Sequence, residues 1–245
     1  MRSIVLLSGG LDSTVNLKMA LKEGEVVLAI TCDFGQRAGW AEIEASKRIC
    51  EALQVKHQVV NLEWLSDITE SALVSDQRPL PRIKMEHLDQ AERTAASAKA
   101  VWVPNRNAVF VAVAAAFAES KGADMVIAGF NREEAANFPD NSAEFVEACN
   151  RLHQYSTMSR PGLHSFTIDM TKKDVVRLGM ELEAPIDLCW SCYDGGDGPC
   201  WACESCQRFR RALTEAGQWE WYERKSGTGG AQEAASAGVE KEDEE

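Results

Sequence analysis

The 245-residue sequence lacks three features that would assign it to particular classes of protein. It has no apolar run of the roughly 18 residues that a membrane helix needs, because its longest run, residues 108–118, ends at Glu119. No charged leader and long apolar segment follow Met1, so we expect a cytoplasmic protein without a membrane association. It has no basic excess: 26 Lys and Arg stand against 38 Asp and Glu, a net charge of −12. Direct binding to nucleic acid is not expected, since unspecific phosphate binding needs surplus Lys and Arg.

The composition predicts one large domain with a small addition. With 45% hydrophobic and 26% charged residues the chain can bury a full core. We predict an α/β domain at residues 1–185, a cysteine-rich segment with a helix at 186–225, and a disordered acidic tail at 226–245, where Gly, Ala, Ser and Glu dominate. At about 75–100 prolines and charges break the pattern, which predicts a mobile loop.

Short β-branched runs alternate with amphipathic segments along the first domain. Buried strands are predicted at residues 3–7, 26–32, 58–62 and 124–129 and around 165–170. Helices are predicted in the intervening segments, at residues 40–53, 107–120 and 142–153, after Ser13, and from Thr171, where Thr171 and Asp174 match a capping box. This alternation predicts a doubly wound, mainly parallel sheet that is covered by helices on both faces.

The turn after the first strand is the first candidate site. Its sequence is Ser-Gly-Gly-Leu-Asp-Ser, residues 8–13, and it falls at the carboxyl edge of the sheet, where open α/β folds bind ligands. Two glycines let successive N–H groups converge on an anion at the positive end of the following helix. The turn is neither a Walker A loop nor a dinucleotide fingerprint. The alternative is an ordinary turn in which Asp12 or Ser13 only caps the helix.

A cluster of cysteines near the carboxyl end is the second candidate site. Five of the eight cysteines lie between residues 189 and 206, and in a reducing compartment such crowding favours a metal over disulfides. Tetrahedral zinc takes four thiolates and a closed site of this kind is structural, so one cysteine is spare. Spacing selects three of the ligands, Cys200, Cys203 and Cys206. It leaves open whether the fourth ligand is Cys189 or Cys192.

Two other interpretations of this segment are buried cysteines without a metal and a zinc ribbon that binds nucleic acid. In the second, Arg208, Arg210 and Arg211 would contact phosphate. Three arginines on one amphipathic helix are more often a solvated face. Glu133 and Glu134 are interpreted in the same way, as ordinary acidic residues at the start of a helix.

Residues 8–13 resemble the signature of the PP-loop ATP pyrophosphatases, which cleave ATP between the α- and β-phosphates. The order of five motifs is similar to that of one of their families, the 7-cyano-7-deazaguanine synthases, over about residues 3–215. The motifs are residues 8–13, Asp-Phe-Gly-Gln-Arg at 33–37, Val-Pro-Asn-Arg-Asn at 103–107, Phe-Pro-Asp at 138–140, and Ser-Cys-Tyr at 191–193 with the three later cysteines. Two departures are Asn105, where many members have Gly, and an altered loop at 135–141. The length leaves no room for a glutaminase domain, so ammonia is expected from solution.

The resemblance implies an adenine nucleotide alpha hydrolase-like fold and particular ligand contacts. The residues that it implies for ATP binding are Leu7, Ser8, Gly9, Gly10, Leu11, Asp12, Ser13, Thr14, Val15, Asn16, Leu17 and Asp33. Catalytic roles fall to Asp12, Ser13 and Arg106, with Asp12 acting through Mg²⁺ or through the geometry of the loop. Substrate contacts fall to Arg37, Asn107, Phe138 and Asp140. Zn²⁺ falls to Cys192, Cys200, Cys203 and Cys206, which makes Cys189 the spare cysteine.

The implied activity is that of an ATP-dependent carbon–nitrogen ligase. It converts 7-carboxy-7-deazaguanine and ammonia into 7-cyano-7-deazaguanine through an adenylated acid and an adenylated amide, releasing AMP and pyrophosphate, in queuosine-type biosynthesis. Mg²⁺ with ATP and a homodimer are also implied. The altered loop keeps two alternatives open: a paralogue that couples a deazaguanine carboxylate to another amine, and a zinc-dependent module that binds a nucleotide without turnover.

Overall fold

The computed structural model describes residues 1–227, which form one parallel sheet covered by helices. The predicted acidic tail falls almost wholly on residues 228–245, outside the described residues. The strands are β1 (Arg2–Leu6), β2 (Glu25–Asp33), β3 (His57–Asn61), β4 (Met125–Ile127) and β5 (Gly162–His164). The helices are α1 (Leu11–Glu23), α2 (Gly39–Leu53), α3 (Trp64–Asp67), α4 (Ala91–Val101), α5 (Arg106–Lys121), α6 (Arg132–Ala135), α7 (Ala143–Ser156), α8 (Lys172–Glu181), α9 (Glu204–Glu215) and α10 (Trp219–Ser226).

The strand order is β3-β2-β1-β4-β5, and every neighbouring pair is parallel. Val5 of β1 pairs with Ala29 of β2 on one side and with Ile127 of β4 on the other. The chain therefore reverses its direction of winding between β1 and β4, and the crevice at such a point is where doubly wound sheets bind ligands. The predicted fold class is confirmed.

The two faces of the sheet are buried in separate hydrophobic clusters, as the period of a strand requires. Ile4 and Val126 belong to the cluster that includes α5, whereas Val5 and Ile127 belong to the cluster that includes α1, α8 and the cysteine-rich segment. The cysteine-rich segment thus shares a core with the helix that follows the Ser-Gly-Gly turn.

Two elements differ from the sequence prediction. The fifth strand ends at His164, before the predicted run at 165–170, and residues 165 and 167 instead bond to the carbonyl of Phe130. Residues 75–100 contain most of α4, a helix that the alanine-rich sequence without a clear apolar stripe did not predict. The same stretch is fastened to the cysteine-rich segment, where Ile83 donates its N–H to the carbonyl of Ala202 at 3.2 Å. Its predicted mobility stays a prediction.

Within residues 1–227 no single helix is long and apolar enough to cross a membrane. Taken together, α4 and α5 have the length and composition of a membrane-spanning segment, but the two helices are bent by 56° relative to each other.

Candidate functional site

The loop at residues 8–13 folds back on itself between β1 and α1. The Oγ of Ser13 accepts a hydrogen bond from the N–H of Ser8 at 3.2 Å and donates to the carbonyl of Gly10 at 3.1 Å. Gly9 has φ of +76°, and a Cβ there would lie 2.8 Å from the carbonyl oxygen of Glu42. Glycine is therefore required at this position for two reasons, the left-handed backbone and the close approach of α2.

The amino-terminal end of α1 carries no side-chain cap within the described part of the chain. Its N-cap is Gly10, and neither Asp12 nor Ser13 accepts a capping bond there. The interpretation of this turn as an ordinary capped helix start is therefore wrong. The N–H groups of the first turn are not used by a side-chain cap, and helix starts of this kind, with the dipole of the helix, are suited to bind an anion.

A cavity of about 270 Å³ opens over this loop at the carboxyl ends of β1, β2 and β4. Nine of the predicted ligand-binding residues line it: Leu7, Ser8, Gly10, Leu11, Asp12, Ser13, Arg106, Asn107 and Phe138. Two neighbouring aromatic rings, Phe34 and Phe110, also line the cavity and lie 5.7 Å apart. The structure thus brings the loop and the 103–107 motif to one place.

The other predicted ligand-binding residues lie outside the cavity lining. Val15 and Leu17 are fully buried in the core, and Asn16 bonds to the N–H of Phe166. The remaining ones contact other parts of the protein. Gly9 packs against α2, and Thr14 and Asp33 form hydrogen bonds with the carbonyl of Gly10 and the N–H of Gly35. Arg37 forms ion pairs with Asp76 and Asp194, and Asp140 accepts a hydrogen bond from the side chain of Asn141.

Lys172 lies at the centre of the polar wall of the cavity. Its Nζ is 2.6 Å from Oδ2 of Asp12 and 2.6 Å from Oε1 of Glu134, and the lysine is buried. Asp12 also accepts a hydrogen bond from Nδ2 of Asn131 at 3.0 Å, through Oδ1. Both carboxylate oxygens of Asp12 are therefore occupied.

The pKa values around Lys172 reflect burial opposed by charge. Burial raises the pKa of Asp12, against the opposing effect of Lys172. Burial also acts to raise the pKa of Glu134, but Lys172 and two arginines outweigh it and the pKa is lowered. Burial acts to lower the pKa of Lys172, but its two carboxylate partners raise it. The lysine is a fixed cation at the cavity wall.

The sequence analysis missed Lys172 and misread Glu134. Lys172 was visible only as the residue after the cap Thr171, whose Oγ1 accepts from the N–H of Asp174 at 3.2 Å in a complete capping box. Glu134 is not an ordinary acid at the start of a helix, because it lines the cavity and pairs with Lys172. The sequence signal that could have indicated Lys172 was its place as the first residue of a helix with a capping box.

Arg106 begins α5 and extends its guanidinium into the cavity. Asn105 before it adopts φ of +60°, the left-handed conformation that Asn tolerates, so the turn survives the change from Gly. The Cζ of Arg106 lies 5.3 Å from the ring centroid of Phe34. Within residues 1–227 Arg106 forms no ion pair, which leaves its charge for an anionic ligand.

Four cysteines converge, and they are the set that the resemblance implied. The Sγ atoms of Cys192, Cys200, Cys203 and Cys206 lie within 4.8 Å of one another. Backbone N–H groups of Asp194 and Cys200 donate to Cys192 Sγ, each at 3.3 Å, as expected for thiolates. The set fits one tetrahedral ion, since a Zn–S bond of about 2.3 Å puts sulfurs roughly 3.8 Å apart.

Cys189 lies apart from this set. Its Sγ donates to Oγ1 of Thr14 at 3.4 Å, and burial raises the pKa of the thiol to about 12. The cysteine-rich segment also touches the loop directly, because the N–H of Trp190 donates to the carbonyl of Gly9 at 2.8 Å. The cysteine-rich segment and the loop at residues 8–13 are therefore joined directly.

The arginines of α9 are engaged within the chain. Arg208 pairs with Glu204 at 2.7 Å, Arg211 pairs with Asp89 at 2.8 Å, and Arg210 lies over the ring of Trp219 at 5.0 Å. They form neither a solvated face nor a free row of phosphate contacts. The nucleic-acid interpretation of the segment thereby loses the residues on which it depended.

A parallel sheet with an uncapped Ser-Gly-Gly-Leu-Asp-Ser turn at its switch point defines a doubly wound α/β protein, and the four cysteines add a possible metal site. The chain belongs to the QueC family, since the model of that family, described as queuosine biosynthesis protein QueC, matches residues 2–217.

Relatives and solved structures resemble the chain over most of its length. A protein named 7-cyano-7-deazaguanine synthase from Pelotomaculum thermopropionicum is 50% identical over 217 residues, which cover 89% of this chain and 98% of the relative. One of the same name from Methanosarcina mazei is 43% identical over 220 residues, 89% and 95% of the two chains. Two solved structures align more loosely. The U34-tRNA thiolase NcsA from Methanococcus maripaludis is 15% identical with a TM-score of 0.46, over 91% of this chain and 72% of its own. NMN synthetase from Francisella tularensis is 17% identical with a TM-score of 0.44, over 92% and 83%.

Proposed function

We propose that the protein is an ATP-dependent carbon–nitrogen ligase that converts 7-carboxy-7-deazaguanine and ammonia into 7-cyano-7-deazaguanine. The observation that supports it best is one cavity that combines an uncapped helix start at residues 10–13 with the unpaired guanidinium of Arg106. ATP and the acid are both anions, and this cavity offers each a separate positive group. The names of the relatives support the same substrate.

The proposed reaction converts an oxygen atom, which is a poor leaving group, into AMP, which leaves readily, and it does so twice. The carboxylate oxygen attacks the α-phosphorus of ATP, pyrophosphate leaves, and ammonia then displaces AMP to give the amide. The amide oxygen attacks a second ATP in the same way, and loss of AMP with a proton forms the nitrile. Each half therefore releases one AMP and one pyrophosphate, and catalysis depends on alignment and on neutralised phosphate charge.

In this proposal the loop and Lys172 hold the triphosphate. The N–H groups at the start of α1 bind the departing pyrophosphate, and the hydroxyl of Ser13 turns from Gly10 toward it. Because Lys172 and Asn131 occupy both oxygens of Asp12, Asp12 acts through the geometry of the loop. Mg²⁺ arrives with ATP and neutralises charge on the phosphates.

Arg106 is proposed to clamp the carboxylate or the α-phosphate. Asn107 supports the neighbouring turn, since its Nδ2 donates to the carbonyl of Asp140 at 3.3 Å. Phe138 stacks on Trp102 with ring centroids 6.3 Å apart and an angle of 12°, and its ring is proposed to contact a flat substrate. Arg37 and Asp140 are proposed to support this wall from outside the cavity.

The four-cysteine set is proposed to hold one structural Zn²⁺, which would hold residues 190–193 against the loop. A homodimer is the proposed assembly. Three exposed apolar side chains at the end of α7, Leu152, Tyr155 and Met158, offer a surface for it. Sedimentation of the wild type and of a Tyr155→Glu variant tests this assembly.

The decisive experiment incubates the metal-loaded protein with 7-carboxy-7-deazaguanine, ATP, Mg²⁺ and ammonium, and follows products by mass spectrometry. We expect the nitrile with two AMP for each product. The Arg106→Ala variant should lose about 100-fold in rate, whereas Arg132→Ala, at an exposed position of α6, should not. Amide alone, or AMP only with another amine, would favour the paralogue. Absence of AMP would favour nucleotide binding without turnover.

A further inference from the structure

The cavity has a second polar end that the roles proposed above do not use. Lys172 and Glu134 form the wall beyond β4, whereas Gln36 and Glu42 form the wall beyond β2, on the other side of the loop. Glu42 lies in the first turn of α2 and lines the cavity. When a ligand fills the cavity and displaces water, a carboxylate in its wall is best satisfied by a donor, from the protein or from the ligand.

Gln36 fixes the orientation of this carboxylate. The Oε1 of Gln36 accepts from the N–H of Phe34 at 2.9 Å, so its Nε2 faces Glu42 and donates to Oε2 at 2.9 Å. Gln36 is buried, and its amide cannot turn without losing both bonds. The other oxygen of Glu42, Oε1, accepts no hydrogen bond within residues 1–227.

The surroundings of this oxygen favour a flat, neutral ring of a ligand, with N–H groups at its edge. Phe34 and Phe110 provide aromatic walls, and Arg106 lies over the ring of Phe34. A cationic ligand is disfavoured because Arg106 already supplies positive charge. An anionic group beside this oxygen is disfavoured by the charge of Glu42 itself. What remains is a neutral ring whose edge donates a hydrogen bond.

We propose that Oε1 of Glu42 accepts a hydrogen bond from the N–H edge of a purine-type base, and that Gln36 is its positioning residue. The proposal rests on the proposed function for the choice of base, since both substrates of that reaction carry such an edge. Adenine offers one amino group at C6, and the deazaguanine ring offers N1–H together with its 2-amino group. Burial raises the pKa of Glu42, whereas Gln36 and Arg106 oppose the shift.

The test is base discrimination in the Glu42→Gln variant. Dissociation constants are measured by calorimetry for ATP and inosine triphosphate, and for the acid and its analogue without the 2-amino group. A hydrogen bond to a charged group contributes about 1.5–3 kcal/mol, so the wild type should prefer one amino-bearing ligand by about 10- to 100-fold. Glu42→Gln should remove most of that preference, because an amide donates as readily as it accepts.

Two further variants separate recognition from folding. Glu44→Gln changes the same helix at a position whose partner is Lys47, 3.9 Å away on the surface, and should keep the wild-type preference. Gln36→Leu should weaken the preference without reversing it. Loss of the ATP preference would identify adenine as the ring, and loss of the acid preference would identify the deazaguanine.

Unchanged preferences in Glu42→Gln would overturn the proposal. So would a uniform loss of affinity for all four ligands together with a lower unfolding temperature, because that pattern belongs to a structural role. Direct binding does not depend on turnover. A wild type that binds with the expected preference but forms no nitrile would therefore contradict the proposed function alone.

Discussion

The Nζ of Lys172 lies 2.6 Å from Oδ2 of Asp12, although the two residues are 160 positions apart in the sequence. The same Nζ contacts Glu134 at 2.6 Å. One buried cation therefore joins the loop at residues 8–13, α6 and α8 around the cavity. Removing it would leave two carboxylates close together in a buried site, which is far less favourable than the intact cluster.

The Lys172→Met variant should lose both stability and activity. The free energy of unfolding should fall by about 3 kcal/mol, because two buried carboxylates lose their partner. The rate of AMP formation should fall by about 100-fold, because the phosphates lose a fixed positive charge. Urea unfolding and an AMP assay below the unfolding transition measure the two effects. Lys173→Met is the matched control, and equal behaviour of the two variants would contradict the assigned role.

The sequence was sufficient for those parts of the fold and site that depend on local pattern. Alternating runs predicted a parallel sheet, and the turn at residues 8–13 needed only its own two glycines and its place after β1. The spacing of the cysteines selected a triplet, and the resemblance selected Cys192 over Cys189. The turn and the triplet are recognised from residues close together in the chain, whereas the resemblance uses the order of motifs along it.

What the sequence did not predict depends on contacts between distant segments. Lys172 and Glu134 look like ordinary residues of helix starts until the fold brings them to one cavity. The arginines of α9 looked solvated because their partners include Glu133 and Asp89 from other elements. The helix α4 has little apolar periodicity of its own, and its buried positions are Thr94, Ser97, Ala98 and Val101.

Replacing one of the four clustered cysteines should weaken ATP binding. Cys206→Ala should bind less than one metal ion per chain and unfold at a lower temperature, because the four sulfurs lose their common ligand. Loss of the bond from Trp190 to Gly9 should then weaken ATP binding about tenfold. Metal analysis and calorimetry measure both. Cys189→Ala is the matched control and should keep its metal, so metal loss there would contradict the assignment of Cys189 as spare.

Stability should depend on pH through His57. Its Nε2 lies 2.8 Å from Oγ1 of Thr31, which donates to the carbonyl of Leu7 at 2.7 Å. Because burial and Lys47 lower the pKa of His57, the unfolded chain binds the proton more tightly than the folded protein. Stability is therefore lost as pH falls below the ordinary value of about 6.5 and towards the lowered folded value.

The measurement is the free energy of unfolding of the wild type and of His57→Gln at about pH 8 and about pH 5.5. Glutamine can still donate to Thr31 but does not titrate. The variant should lose less stability than the wild type on acidification. Burial also lowers the pKa of His164, so part of the slope should remain. Identical slopes in the two proteins would rule out this role of His57.

Gly129 should tolerate no side chain, because it lies directly against the loop at residues 8–13. A Cβ there would lie 2.6 Å from the backbone N of Ser13 and 2.8 Å from the backbone carbon of Asp12. Backbone atoms cannot turn away as a side chain can, so Gly129→Ala must shift the start of α1. We expect a KM for ATP about tenfold higher and a loss of about 1–3 kcal/mol in stability.

Gly198→Ala is the matched control, because no atom lies within 4 Å of its added Cβ. Steady-state kinetics and urea unfolding of both variants measure these changes, and wild-type values in Gly129→Ala would show that the loop can move without cost. If the loop binds the phosphates through its backbone N–H groups, a shift of a few tenths of an ångström is enough to misalign them. The KM for ATP should then rise even under conditions in which the variant is fully folded, which a loss of stability alone would not cause.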